Sequence, residues 1–365
     1  MKILITLDYE LFMGKKTGSV ESCLLSPMNS FISMLDRYGI KATIFVDAAY
    51  LLRLSELKDK HDKLKSDFEL ISDHLKCLEQ DGHDIQLHFH PQWIYSDYDS
   101  KQWIMDFEHY KLSDLPENVL RTSFYSARLL LEEIIGKKII AFRAGGYSLP
   151  TYSGYIDLFK LNGIKIDSSV LRGAYVDSKY QKYDYRNIPK ASIYNFNNSL
   201  FIEDNKGEFC ECSISTVAYQ GFVYWLLKRR LSSIYHPTIQ YGDGYGIGIS
   251  GSRLKRLVKR IKILFQNKIV SASIDGFMST MLLDIYSIHK KQVSCNGFVI
   301  IGHPKNFSNV SIRNVEEFIL KVRDEDTFLT LTGDADEAVD RVALAGENAC
   351  RRIGDGLDRG VPAPL

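Results

Sequence analysis

The chain is poor in the features that would settle its class at once. Six cysteines are scattered over 365 residues, too sparse for a disulfide framework. Cys210-Glu211-Cys212 has the form of a soft metal pair. With no second cysteine pair or neighbouring histidine, it reads as two small residues on one face of a strand. No apolar run approaches the ~20 residues needed to span a bilayer. The first residues, Met1 to Asp8, lack the apolar core and cleavage site of a signal peptide, so the expected compartment is the cytoplasm. Net charge is +1, and without a global field nucleic acid is not an expected partner. No Gly-x-Gly-x-x-Gly or phosphate loop follows any strand, which argues against a nucleotide-binding sheet.

What the chain does have is an ordinary globular balance, 45% hydrophobic and 25% charged, and a strand end rich in histidine. Gly82-His83-Asp84-Ile85-Gln86-Leu87-His88-Phe89-His90-Pro91-Gln92-Trp93 alternates apolar and polar residues and stops at a proline, the pattern of a strand entering a loop. Strand side chains two apart share a face, so His88 and His90 project together. Two imidazoles so placed can share a divalent ion if a carboxylate from elsewhere completes the set.

Other strand ends offer polar groups too. The first strand ends in Asp8-Tyr9-Glu10, with Asp8 and Glu10 on one face. Lys41 to Val46 is a second strand, and residues 48 to 81 read as helix in two pieces. Ser26-Pro27 marks the start of a helix running to Gly39. A helix opened by Asp114 and Pro116 runs to Gly136, and the strand after it ends in Arg143-Ala144-Gly145-Gly146-Tyr147. A short strand ends in Asp167, and a last one, from Gly297, ends in Gly302-His303-Pro304. Strands alternating with helices indicate parallel βαβ units. About seven repeats predict an α/β fold, an incomplete or distorted (β/α)7 barrel spanning 1–332. Residues 172–213, rich in Tyr and Asn, read as a β-hairpin-like insertion, and 217–268 as a helical basic segment. In a barrel the chemistry gathers where strands end, which is where these residues fall. From 333 to 365 Lys, Ser, Thr, Phe and Tyr vanish; this stretch is set aside as a terminal extension.

One basic stretch stands apart. Between Ser252 and Lys268 apolar residues recur at helical spacing, while Arg253, Lys255, Arg256, Lys259, Arg260 and Lys262 face the other way with no acid among them. Lys228-Arg229-Arg230 lies nearby in sequence. A solvated helix face accounts for this. So does peripheral contact of 252–268 with an anionic membrane, at its inner face, or a grip on a diphosphate-linked sugar.

The order of the strand ends resembles the polysaccharide deacetylase superfamily, the NodB-homology fold of carbohydrate esterase family four. Thr6-Leu7-Asp8-Tyr9-Glu10 is similar to its first motif, and Gly82-His83-Asp84-Ile85 through His88-Phe89-His90-Pro91 to its second. Phe142-Arg143-Ala144-Gly145-Gly146-Tyr147 is similar to the third, Ile166-Asp167-Ser168-Ser169 to the fourth, and Val299 through His303-Pro304 to the fifth. The resemblance implies a metal-dependent hydrolase that removes an N-acyl group, most simply N-acetyl, from a sugar. One divalent ion, Zn²⁺ in the first place with Ni²⁺ or Co²⁺ as alternatives, is implied on Glu10, His88 and His90. Asp8 is implied as general base paired with Arg143, and His303 as general acid with Asp167 supporting its imidazolium. Tyr147, Trp93 and Gly145 are implied on the substrate side. Tyr9 stands where the family has its second aspartate, which passes the ligand place to Glu10. The family's ligand histidines are four apart, so His83 competes for a place, although on a regular strand it faces away from His88. The implied substrate is an acylated sugar or a lipid- or nucleotide-linked glycan intermediate of surface polysaccharide synthesis. Two other classes stay open: another amidohydrolase on this scaffold (a deformylase or cyclic-amide hydrolase), and a carbohydrate-binding member without turnover.

Overall fold

The computed structural model describes residues 1–246, 266–292 and 297–333. Its sheet is built from β1 (Lys2–Tyr9), β2 (Thr43–Asp47), β3 (Asp84–Phe89), β4 (Ala141–Ala144), β5 (Ile166–Asp167), β6 (Ile193–Phe196), β7 (Phe209–Cys212), β8 (Gly297–Gly302) and β9 (Thr327–Leu329). The order is β6-β7-β5-β4-β3-β2-β1-β8, with β9 against the first half of β1. Every pairing is parallel except β6 with β7. The gap between β8 and the β5–β7 side is bridged by two short runs. Ser215 donates its N–H to the Val299 carbonyl at 3.0 Å, Ile301 to Ala272 at 2.9 Å, and Ile214 to Val170 at 2.9 Å. The result is a nearly closed, distorted barrel, as the alternation of elements predicted.

Period two sorts the strands into an outer and an inner face. Ile3, Ile5, Leu7 and Tyr9 of β1 and Ile85, Leu87 and Phe89 of β3 join the core beneath the helices. Leu4, Phe45, Ala141, Ile166, Val299 and Ile301 form a second cluster inside the barrel. The helices α1 (Ser26–Asp36), α2 (Ala48–Leu57), α3 (Asp62–Gln80), α4 (Glu117–Ile135) and α5 (Tyr155–Asn162) follow the strands in turn. Each lays an apolar stripe inward; α3 does so with Leu64, Ile71, Leu75 and Leu78. The α4 helix stops at Gly136, whose φ of 73° is the left-handed cap glycine adopts without strain.

Several expectations change. The stretch 172–213 is divided rather than inserted as a block. Tyr175–Asp177 and Lys182–Asp184 form a separate hairpin, but Phe209–Cys212 pairs with Ile166–Asp167 and so belongs to the barrel. Its neighbours supply the parallel partner that a free hairpin would lack. The 217–268 segment is not helical throughout. Thr216–Tyr219 is a strand antiparallel to Lys268–Ser271, because Val217 and Tyr219 alternate inward, and the helix α6 (Gly221–Ile234) begins only after it. Ser26 is the first helical residue rather than a cap, since a π-turn over Glu21–Leu25 already leads into α1. The basic stretch lies largely outside the described residues, as does 334–365. Residues 282–292 form α7 (Leu282–Gln292) and 309–322 form α8 (Asn309–Val322). Among the described residues no helix is long and apolar enough to cross a membrane.

Candidate metal centre

The inner face of β1 carries Leu4, Thr6, Asp8 and then Glu10, so the barrel interior passes from apolar at the bottom to acidic at the rim. Tyr9 points the other way, into the helical layer, where its hydroxyl meets His74 Nδ1 at 3.0 Å. That is why Tyr9 can replace an acid without emptying the site: parity gives the next inward place to Glu10. On β3 the inward residues are Gln86 and His88, followed by His90 just past the strand. The rings of His88 and His90 lie 4.7 Å apart.

Both imidazoles aim at one carboxylate oxygen. Glu10 Oε2 is 2.5 Å from His90 Nε2 and 3.1 Å from His88 Nε2. All three residues are buried, and one ligand atom from each lies within 4.8 Å of the others. His88 Nδ1 sits 2.7 Å from the Arg143 carbonyl, a contact that places a proton on Nδ1 and, in the neutral ring, leaves a lone pair on Nε2. A lone pair facing a carboxylate is repulsive unless a proton or a cation lies between them. The donor set therefore fits a divalent cation held by Glu10, His88 and His90. Gly145 keeps the His90 ring in place: a Cβ there would stand 2.7 Å from the Phe89 carbonyl and 2.8 Å from His90 Nδ1.

Beside the ligands lie two charged pairs. Arg143 is fully buried and donates through Nη1 to Asp8 Oδ1 at 2.6 Å, through Nη2 to Thr6 and Ser168 hydroxyls, and through Nε to the Ser168 carbonyl. Its guanidinium also covers the Phe45 ring at 4.2 Å. Burial works against the Asp8 charge, but Arg143, followed by His88 and His303, more than offsets it and lowers the pKa. The second pair is His303 with Asp275. Asp275 Oδ2 is 2.6 Å from His303 Nδ1, and its Oδ1 accepts the His303 backbone N–H at 2.8 Å. Burial disfavours the imidazolium, yet Asp275, then Asp8 and Glu10, raise its pKa to about 9.

Polysaccharide deacetylases are among the structural neighbours. A protein of Mycobacterium smegmatis described as a polysaccharide deacetylase is 13% identical, with 100% of this chain and 94% of that one covered and a TM-score of 0.46. The catalytic domain of a peptidoglycan N-acetylglucosamine deacetylase from Eubacterium rectale is 11% identical, with 90% and 88% covered and a TM-score of 0.36. A GH57 branching enzyme from Thermococcus kodakaraensis is 10% identical, with 92% and 71% covered and a TM-score of 0.49. No family model and no curated protein matches the chain. At such distance function has to be read from the side chains.

The sequence reading placed Asp8, Glu10, His88, His90, Arg143 and His303 at strand ends, and the structure brings all six together. It does not bring Asp167 onto His303. Asp167 accepts from the Ser169 hydroxyl at 2.6 Å and stands opposite Glu211 across the β5–β7 pairing, so Asp275 takes the supporting role. Trp93, expected on the substrate side, is fully buried between Tyr50 and Trp103, with ring centroids at 4.6 and 5.0 Å. His83 lies at the opposite end of β3, where Nδ1 accepts the Ala42 N–H at 3.2 Å; burial lowers its pKa to about 4, keeping it a neutral acceptor. Tyr147 stays near the acids. Burial and then Asp8 push its hydroxyl pKa well above the ordinary value, and its φ of 59° is an unusual, mildly strained backbone state for a tyrosine.

Three residues went unread in the sequence. Asp275 follows the strand-like run Ser271 to Ile274, a strand-end carboxylate of the same kind as Asp8. Lys305 comes two residues after His303 and donates to Glu10 Oε1 at 2.8 Å and to the Leu11 carbonyl at 2.7 Å. Asp47 ends β2 and accepts the His90 N–H at 3.2 Å, tying the third ligand's backbone to the neighbouring strand. A cavity of 630 Å³ opens over Glu10, His90, His303 and Lys305, with Tyr110 and Tyr180 on its wall.

Proposed function

We propose that this chain is a metal-dependent hydrolase, a divergent polysaccharide-deacetylase-like enzyme that removes an N-acyl group, acetyl first of all, from an acylamino sugar of a glycan under assembly. The observation that carries the reading is one carboxylate oxygen of Glu10 within reach of both Nε2 of His88 and Nε2 of His90, with the Asp8–Arg143 and His303–Asp275 pairs alongside. The cavity above them has tyrosine walls suited to the apolar face of a sugar ring.

A divalent ion at Glu10, His88 and His90 supplies the Lewis acidity that amide hydrolysis needs. The chain's own groups supply proton transfer. Asp8, kept ionised and oriented by Arg143, accepts a proton from the attacking water. His303, kept protonated by Asp275, donates to the nitrogen as the C–N bond breaks, so that the amine leaves neutral. Lys305 fixes one oxygen of Glu10 and leaves the other toward the imidazoles. Tyr147, beside Asp8, borders the space where the acyl group would sit.

The test is release of acid from N-acetyl and N-formyl amino sugars by protein loaded with zinc, nickel or cobalt. Acetate release supports this reading, and formate alone would move it to a deformylase. One observation favours a second reading. Lys305 already neutralises Glu10, as a sugar-binding protein without a metal would require. Protein that carries no divalent ion after equilibration with each of the three, and that still binds glycan, establishes that alternative.

A further inference from the structure

Of the 14 residues in α6, only Gly221 is buried. Tyr224, Leu227 and Leu231 rest on the core, while Phe222, Val223, Trp225 and Leu226 remain 54%, 41%, 40% and 46% exposed. The spacing i, i+1, i+3, i+4 puts those four on one side of the helix, with the Phe222 and Trp225 rings 6.3 Å apart and nearly parallel at 22°. The next turn is Lys228-Arg229-Arg230. The helix contains no acid, and among the described residues none of the three cations forms an ion pair. Arg229 lies 5.7 Å over the Trp225 ring, so the cationic and apolar faces adjoin.

An apolar patch bordered by cations that no described residue pairs matches one occupant better than others. A protein partner that covered the aromatic residues would have to bring acids to meet three adjacent cations. A bilayer with anionic headgroups offers apolar depth and phosphate charge in the same geometry. The net charge of only +1 shows that this basic character is local rather than a property of the whole surface. The position also fits: Lys228 reaches to 5.8 Å from the Phe277 ring, and Phe277 is two residues past Asp275, which holds His303. The helix thus lies beside the segment that follows Asp275.

We propose that α6 docks on an anionic bilayer surface, with Phe222, Val223, Trp225 and Leu226 entering the headgroup–acyl boundary and Lys228, Arg229 and Arg230 meeting lipid phosphates. The enzyme then acts at the membrane face on an acylamino sugar carried by a lipid. The substrate half of this statement rests on the hydrolase reading; the docking half does not.

The experiment is co-sedimentation of the full chain with phosphatidylcholine vesicles, with and without phosphatidylglycerol, while tryptophan emission is followed. Trp93 is buried and Trp103 packs against it, so a blue shift on binding reports Trp225. Binding should need phosphatidylglycerol and weaken with salt. It should fall on the order of a hundredfold when Lys228, Arg229 and Arg230 are all changed to Gln, and should be lost in Phe222→Glu/Trp225→Glu. Far-ultraviolet circular dichroism and release of acyl group from a soluble sugar should be unchanged in both variants. No binding to anionic vesicles overturns the proposal. So does binding that the variants leave intact, a dimer that Trp225→Glu dissolves, or a Trp225 shielded from acrylamide by the chain's own residues. Vesicle binding without hydrolysis of any sugar leaves the docking standing and removes the lipid-linked substrate.

Discussion

Asp8 Oδ2 and His303 Nε2 face each other at 3.5 Å, one held ionised by Arg143 and the other held protonated by Asp275. Each is braced from behind by an oppositely charged partner, and each also favours the charged form of the other. On the proposed hydrolase reading, the two are placed for opposite proton transfers in one turnover.

Removing the charge at Asp8 separates binding from turnover. Asp8→Asn keeps an acceptor for Arg143 and leaves Glu10, His88 and His90 in place. Metal content should stay near that of the parent while kcat falls about 10²- to 10⁴-fold. His88→Ala should lose both. Metal analysis beside initial rates checks the pair, and an Asp8→Asn protein of full activity would show that the base is elsewhere.

Lys305 predicts effects of opposite sign on metal affinity and on stability. Its ammonium is 2.8 Å from Glu10 Oε1, and both groups are buried. Lys305→Met removes a cation from beside the ligand set, so zinc should bind at least about tenfold more tightly. The metal-free protein, in which buried Glu10 loses its strongest charge partner, should lose about 3 kcal/mol. Competition titration and chelated denaturation curves measure the two.

The His303–Asp275 pair gives a pH signature. The folded pKa of about 9 lies above the unfolded value of ~6.5. Stability from this pair is therefore fully present below about pH 6.5 and is lost as pH rises through about 9. Asp275→Asn should cost on the order of 2 kcal/mol near pH 6 in metal-free protein, with the gap from the parent closing by about pH 10. The alkaline limb of kcat should move to lower pH. A gap of constant size across that range would mean that Asp275 acts only as a backbone cap.

Gly145→Ala tests the support of the third ligand. A methyl group there meets the His90 ring and the Phe89 carbonyl, so the ring must turn away from Glu10. Zinc affinity should drop about 10- to 100-fold, with a smaller loss in the melting temperature of chelated protein. Equal affinity in the two proteins would show that His90 is not a ligand.

Parity along β1 and β3 was legible in the sequence, and it located Asp8, Glu10, His88 and His90, because period two needs no tertiary knowledge. The match of Arg143 to Asp8 came from the family resemblance, and the structure gives its physical reason, a buried carboxylate that needs an opposite charge. Asp167 and Asp275 could not be ranked in the same way. Both are carboxylates at the ends of short strands, and only closure of the barrel decides which one reaches His303. Trp93 shows the same limit: three residues past His90 it could have faced the cavity, but Tyr50 and Trp103 turn it inward. Strand Thr216–Tyr219 was hidden because its partner, Lys268–Ser271, lies some fifty residues away.

The neighbours of β1 are far apart in sequence: β2 follows it closely, whereas β8 and β9 come only from Gly297 onward. During synthesis on a ribosome, Asp8 and Glu10 emerge long before His303 and Lys305, and one flank of their strand stays open until those two have left the exit tunnel. A nascent chain halted before Gly297 would hold most of the helices yet present an unprotected strand edge and a half-assembled centre. Closure of the centre therefore waits on synthesis of the strand that carries His303.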